Sequence, residues 1–303
     1  MYTAGTHILN WNGLKVAWKK ECQSTQSEVA TLLIHGFGAN KNHWRHNQTV
    51  LGTIAPSYSI DLIGFGESSQ PISRLNGEEQ NENNYCYNFE NWGNQIADFS
   101  KLVIKKPVVL IGNSIGGVIA LKAAQILKEK CKRVILINCA QRLMDDKQLS
   151  KKSTLQKILR PGLKFITKQR WLSRSLFKNA AKPSFIKKVL QKAYPSGSNI
   201  DDGLINLLHQ PTKGLGAPEA FHGFINIFND SLAPELMEEL DLPVDMIWGE
   251  DDPWESCTEA KNWFLTIPCI KSLEIIKHSG HCPHDESPEK VNPILVKLVQ
   301  QAT

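Results

Sequence analysis

A parallel β-sheet covered by helices on both faces is the fold this sequence predicts, and three observations carry it. Short apolar runs around 29–35, 107–111, 133–138 and 244–248 alternate with helical patterns, the signature of an α/β sheet. One run, Pro107-Val108-Val109-Leu110-Ile111, feeds directly into Gly112-Asn113-Ser114-Ile115-Gly116, and a small-residue helix from Gly117 to Ala124 follows. A serine in G-x-S-x-G between a strand and a helix reads as a nucleophile elbow. The chain has 303 residues, 41% hydrophobic and 21% charged, enough for one α/β core with a large insertion.

The elements follow in order. Ile8–Trp11 and Leu14–Lys19 flank Asn12-Gly13, which suits a two-residue type I′ hairpin turn. Val29–His35 is a buried strand that runs into His35-Gly36-Phe37-Gly38. A helix over Asn42–Leu51, a strand at Tyr58–Asp61 and a loop at Gly64-Phe65-Gly66 come next. Leu75–Asn84 is a polar excursion, and Phe89–Val103 is helical. After the elbow, Arg133–Asn138 is the next buried strand. The chain then loses strand character and becomes helical, basic and Pro-punctuated. Strands resume at Val244–Trp248 and Leu273–Ile276. In the last helix Asn292 is placed as cap with Pro293 at the first position. The body is therefore residues 1–139 and 236–303, and residues 140–235 form a helical cap inserted after the sixth strand.

The bulk properties exclude several classes. No apolar run nears the roughly 18 residues that span a bilayer. The opening stretch, Met1 to Thr6, has neither a basic nor an apolar segment that would signal secretion. Seven cysteines without a C-x-x-C pair fit free thiols in a reducing compartment, so a cytoplasmic setting is expected. The net charge of +5 is uneven, with fifteen Lys/Arg against two Asp between Gln141 and Lys192. The body is thus slightly acidic and the cap strongly basic.

A serine hydroxyl needs a base, and the base needs an orienting acid. The strand ending at Trp248 opens into Gly249-Glu250-Asp251-Asp252-Pro253-Trp254, and Asp252 is the acid best placed to curl back over the sheet edge. Glu250 and Asp251 read as solvated loop charges. His278, His281 and His284 follow the last strand, and His281, directly after Gly280, is the best placed base. A metal reading of these histidines is disfavoured because no helix aligns them and metal would occupy the base. Cys282 reads as a small packing residue. The N–H groups of Ile115 and Phe37 are the expected oxyanion donors. His35 precedes that loop and is expected to brace it.

With these residues in view, the chain resembles the α/β-hydrolases along nearly its whole length. The resemblance rests on His35-Gly36-Phe37-Gly38, Asp61-Leu62-Ile63-Gly64-Phe65-Gly66-Glu67-Ser68, the Ser114 elbow, Trp248 to Pro253 and Gly280-His281. It implies a mostly parallel eight-stranded sheet, a variable cap and no cofactor. Serine at 114 is unlike haloalkane dehalogenases and epoxide hydrolases, which use Asp there. Gly-Asn-Ser-Ile-Gly-Gly is similar both to carbon–carbon bond hydrolases of ring-cleavage pathways and to pheophytinase and chlorophyll-dephytylase-like enzymes. His43-Trp44-Arg45, Asp252-Pro253-Trp254-Glu255 and the segment from Gly280 to Glu289 lean to the latter, as does Cys282 where carbon–carbon hydrolases commonly carry Trp. The resemblance thus implies a serine hydrolase acting on a hydrophobic carboxylic ester, such as a phytyl ester of a chlorophyll derivative. Its triad would be Ser114, Asp252 and His281. His35, Gly36, Gly38, Asn113, Trp44 and Trp254 would line or support the pocket. The alternatives are carbon–carbon bond hydrolysis and a catalytically silent ligand-binding protein.

In the cap, Leu155, Ile158, Leu159, Leu163 and Ile166 approximate a helical stripe among Lys157, Arg160, Lys164 and Lys168. Pro161 is expected to divide it into two short helices. Trp171, Leu172, Leu176 and Phe177 continue the pattern. Such segments can bury their apolar face over an active site, or lie on an anionic membrane, which would make a cytoplasmic protein peripheral to an internal membrane. Nucleic acid is not an expected partner, since no binding motif is present.

Overall fold

The computed structural model describes residues 3, 5–24 and 26–302; Met1, Tyr2 and Ala4 of the opening stretch lie outside the described residues. Among the described residues ten strands form: β1 (His7–Trp11), β2 (Leu14–Glu21), β3 (Ala30–Ile34), β4 (Ser57–Ile60), β5 (Ile72–Ser73), β6 (Asn84–Tyr85), β7 (Val108–Asn113), β8 (Cys131–Ile137), β9 (Val244–Gly249) and β10 (Ile270–Ile276). Eight build one sheet in the order β1-β2-β4-β3-β7-β8-β9-β10, and β5 pairs with β6 apart from it. β1–β2 and β2–β4 are antiparallel, whereas every pairing from β4 to β10 is parallel. Asn12 and Gly13 both take positive φ (51° and 80°), as the hairpin turn of type I′ requires.

The helices are α1 (Gln48–Gly52), α2 (Phe89–Phe99), α3 (Ile115–Leu127), α4 (Thr154–Thr167), α5 (Arg170–Ala180), α6 (Pro183–Ala193), α7 (Asp202–His209), α8 (Ala217–Ile225), α9 (Ala233–Glu238), α10 (Cys257–Thr266), α11 (Pro283–Glu286) and α12 (Pro288–Gln300). Alternate residues of the parallel strands serve opposite faces of the sheet. Leu110, Leu136 and Met246 join a core with α2, α3 and α9. Ile111, Ile137 and Ile247 join a second core with α1 and α12. Two-sided burial is why these strands read as continuous apolar runs rather than alternating ones.

Four local expectations change. The helix over Asn42–Leu51 divides into a 3-10 turn (Lys41–Trp44), capped when Asn40 accepts from the Asn42 N–H, and α1. Asn47 at the break instead bonds across to the His284 carbonyl and the Asn292 side chain. Phe89–Val103 is helical, but its last turn widens to a π turn at Ser100–Ile104, closed by Lys105 at φ 58°. Pro161 does not split its segment, for α4 runs through it on an exposed face where water can serve the freed carbonyl. The final helix begins at Pro288, not Asn292, because Pro288 is already preset for the first turn and Asn292 is engaged with Asn47 and the His46 carbonyl.

The chain leaves the sheet after β8, its sixth strand, and returns at β9; α4 to α9 lie in that excursion. Leu190, Ala193, Tyr194 and Leu204 of the excursion form a small core with Cys282. Glu219 of α8, almost fully buried, accepts from Arg170 (2.6 Å), Arg174 (2.9 Å) and the Ser73 hydroxyl (3.0 Å). Arg170 also pairs with Glu78 of the body (2.7 Å), so one body acid and Glu219 of the cap itself answer part of the basic charge.

Candidate active site

Ser114 stands between β7 and α3 at φ 56°, ψ −123°, a conformation that non-glycine residues rarely adopt. Surrounding bonds hold it there. Its N–H donates to the Ile137 carbonyl (3.0 Å), and its carbonyl accepts from Gly117 (3.0 Å) and Ala140 (3.1 Å). A Cβ on Gly112 would meet the Gly116 carbonyl, and one on Gly116 would meet the Ile34 and His35 carbonyls. Both positions therefore exclude a side chain, and the turn can be this sharp only with glycine at each. Among the described residues the Ser114 hydroxyl makes no hydrogen bond; it opens onto a cavity wall.

His281 shares that wall. Its Nδ1 lies 2.8 Å from Asp252 Oδ2, which makes Nδ1 the protonated nitrogen and leaves Nε2 able to accept a proton. Burial disfavours the Asp252 charge, yet the His281 bond and charge outweigh it, helped by the Trp254 N–H (2.9 Å) and the Asn138 amide (2.7 Å). The carboxyl is held below its usual range. Glu250 and Asp251 are exposed, away from this pairing. Trp254 closes one side of the imidazole, edge to face at 4.9 Å. Next to the pair, burial pushes the Glu255 carboxyl up to about 7 despite its bond from the Gln141 N–H.

The loop after β3 passes directly over the serine. A Cβ on Gly36 would stand 3.1 Å from Ser114 Cβ, so only glycine fits easily. Gly38 turns the loop at φ 72°. His35 is fully buried beneath it, and burial lowers its pKa to about 4, so the ring is neutral. Nδ1–H donates to the Gly36 carbonyl (2.8 Å), and Nε2 accepts from the Leu62 N–H (3.1 Å). The ring thus ties the loop to the end of β4. The Phe37 ring stacks on Phe224 at 3.9 Å, pinning the residue whose N–H was expected to bind an oxyanion. Ile115 is the first residue of α3, so its N–H lacks a helical partner. Asn113 splits its amide between the Ile137 (3.1 Å) and His281 (3.0 Å) carbonyls, linking the elbow to the histidine loop.

Trp44 takes the supporting role: its ring is buried in the core under α12 and packs on His284 at 4.4 Å, below the cavity floor. Three residues at the site carry no assigned site role in the sequence reading. Asn138, at positive φ after β8, binds Asp252 with its amide and accepts from the Gly249 N–H (2.9 Å). His43 borders the cavity and bonds Tyr194 (2.8 Å), whose hydroxyl donates to Asp285 (2.9 Å). Asn138 could be found from its position at a strand end beside the acid loop. The His43–Tyr194 contact spans 151 positions and leaves no sequence signal.

Two cavities meet at Ser114, Phe37, Val189, Trp254 and His281. One, about 240 Å³, is lined largely by apolar cap residues such as Phe177, Phe185, Ile186 and Leu190. The other, about 490 Å³, adds the Arg142–Asp145 ion pair (2.7 Å) and Glu255 to the aromatic rings of Phe89, Phe224 and Phe228.

The alpha/beta hydrolase family matches residues 31–294. Pheophytinase, chloroplastic, of Arabidopsis thaliana is 24% identical over 93% of this chain, and the chain spans 63% of that protein's length. The epoxide hydrolase CorEH superposes with a TM-score of 0.77 at 14% identity, covering 98% of this chain and 99% of its own. A thermophilic esterase from Thermogutta terrifontis gives 0.70 at 20% identity, with 99% of each chain covered.

Proposed function

The chain belongs to the alpha/beta hydrolase family, and from that membership we propose that it is a serine hydrolase cleaving a hydrophobic carboxylic ester through an acyl-enzyme. The observation that carries the reading is the strained Ser114 elbow opening onto the same cavity walls as a histidine already paired with a carboxylate. In the reaction, Ser114 Oγ attacks the ester carbonyl while His281 Nε2 takes its proton. Asp252 stabilises the imidazolium that forms. The tetrahedral oxyanion is met by the Phe37 and Ile115 N–H groups, each worth about 3–4 kcal/mol in the transition state. The alcohol leaves with the proton from His281, and water repeats the sequence on the acyl-enzyme.

A serine at the junction of two cavities suits a two-part substrate. The acyl and alcohol portions would extend to opposite sides of the reacting carbonyl, one of them into the apolar cavity. The similarity to pheophytinase supports a phytyl-type ester of a chlorophyll derivative as the specific substrate. The test is a panel of phytylated tetrapyrroles, p-nitrophenyl esters and ring-cleavage diketones, run with wild type and Ser114→Ala. Turnover of esters, lost in the variant, is the expected result. Turnover of diketones alone would make it a carbon–carbon hydrolase, and no turnover with any class would favour a silent binding protein.

A further inference from the structure

Helix α4 is amphipathic with its polar face turned inward. Arg160 is its buried residue: the guanidinium bonds Asp146 (3.2 Å) and the Met144 carbonyl and lies 4.5 Å over the Phe228 ring. One turn on, Lys164 pairs with the same Asp146, and Thr167 bonds Asn226 (3.1 Å). These three residues share one side of the helix at i, i+4 and i+7. The opposite side carries Leu155, Ile158, Leu159, Phe165 and Ile166, each 49–69% exposed. Trp171, at the start of α5, is 70% exposed. A cap helix that served only to roof the site would bury that stripe. The inward ion pairs instead lock it outward, and a contiguous apolar surface of this kind marks an interaction site.

The surrounding charge selects the occupant. Lys157 and Lys168 flank the stripe, and Arg174, Lys178, Lys187 and Lys188 follow on α5 and α6. The two acids between Gln141 and Lys192, Asp145 and Asp146, are already paired with Arg142 and Arg160. A second copy would bring these cations against their own kind, whereas anionic headgroups complement them. We propose that α4 and the start of α5 dock this protein on an anionic lipid bilayer, with the apolar stripe in the headgroup–acyl boundary and the lysines at phosphate level. The packed series α4, α5, α6 leads from this stripe to Phe185 and Val189, which are themselves partly exposed and border the cavity at Ser114.

The experiment is co-sedimentation of the full chain with vesicles of phosphatidylcholine alone, or with about one-third phosphatidylglycerol, at low and high salt. It reads binding rather than turnover, so it stands or falls separately from the ester hydrolase reading. Wild type is expected to pellet with the anionic vesicles and to be released by salt. Lys157→Gln/Lys187→Gln should lower partitioning about twenty-five-fold, at about fivefold per charge. Ile158→Ser/Phe165→Ser, at exposed sites that leave the fold intact by circular dichroism, should lower it on the order of a hundredfold. Equal, negligible pelleting with both vesicle types would overturn the proposal. So would a wild-type dimer by sedimentation velocity that Ile158→Ser/Phe165→Ser disperses, with no vesicle binding.

Discussion

The elbow of the body and helix α4 of the cap are both sequence patterns of apolar residues and glycine, yet they are built on opposite terms. At the elbow the backbone is confined on every side: Gly112 and Gly116 have no room for a methyl group, and Ser114 is held at positive φ by three backbone bonds. In α4, Gly162 has open space around it and the apolar residues face outward. One region is fixed by steric necessity and the other by a few ion pairs. The elbow can tolerate almost no change, while the outward face of α4 can be altered without touching the two cavities at Ser114.

The sharpest way to break this contrast is at the acid. Asp252→Asn should lower kcat on the order of ten-thousandfold by favouring the wrong His281 tautomer, while Glu250→Gln and Asp251→Asn stay near wild type in ester assays. A strong loss at either exposed acid would reassign the triad. Next, Gly116→Ala should cost at least about 3 kcal/mol in chemical denaturation, since its methyl group meets backbone carbonyls that cannot step aside.

A smaller effect is expected in the dependence of stability on pH. The folded state raises the Glu255 pKa from 4.5 to about 7, so between those values the unfolded chain has lost a proton that the folded chain keeps. Stability contributed there falls as pH rises through the window. Asp252, whose folded pKa is depressed, acts the other way, and its contribution is lost only as pH falls through that lowered value. Melting temperatures measured from pH 4.5 to 7.5 should decline less in Glu255→Gln than in wild type; parallel curves would remove Glu255 from the account. Least of all, Gly162→Ala should stabilise by about 1 kcal/mol in denaturant titration, because a methyl group on an open helix face restricts the unfolded chain at no steric cost. Destabilisation there would mean that α4 is packed more tightly than its exposure indicates.

The same contrast explains what could be read from the sequence. The parallel part of the sheet was legible because strands buried on both faces leave unbroken apolar runs, its total of eight strands came from the family resemblance, and the Asn12-Gly13 turn was legible because its φ values demand those residues. Ser114, Asp252 and His281 stand at strand ends, where topology restricts the choices to a few positions. Periodicity found the stripe of α4 but not its direction, because a helix pattern is the same whether its apolar face turns inward or outward. Pro161 misled for a related reason: a proline breaks a helix where the lost bond is buried, and here the face is solvated. Whether Trp44 lines or supports the pocket was not legible, because adjacency to His43, which borders the cavity, says nothing of which way the next side chain points. Asn138 and Tyr194 act through partners more than a hundred positions away.

The account depends most on Ser114 being an activated nucleophile. Its most direct test is reaction of the folded protein with a fluorophosphonate, followed by mass spectrometry of the peptides. The arrangement of Ser114, His281 and Asp252 predicts one adduct, on Ser114, absent from urea-unfolded protein and strongly reduced in His281→Ala. Ester turnover by a protein that carries no adduct on Ser114, or carries it on another residue, would contradict it.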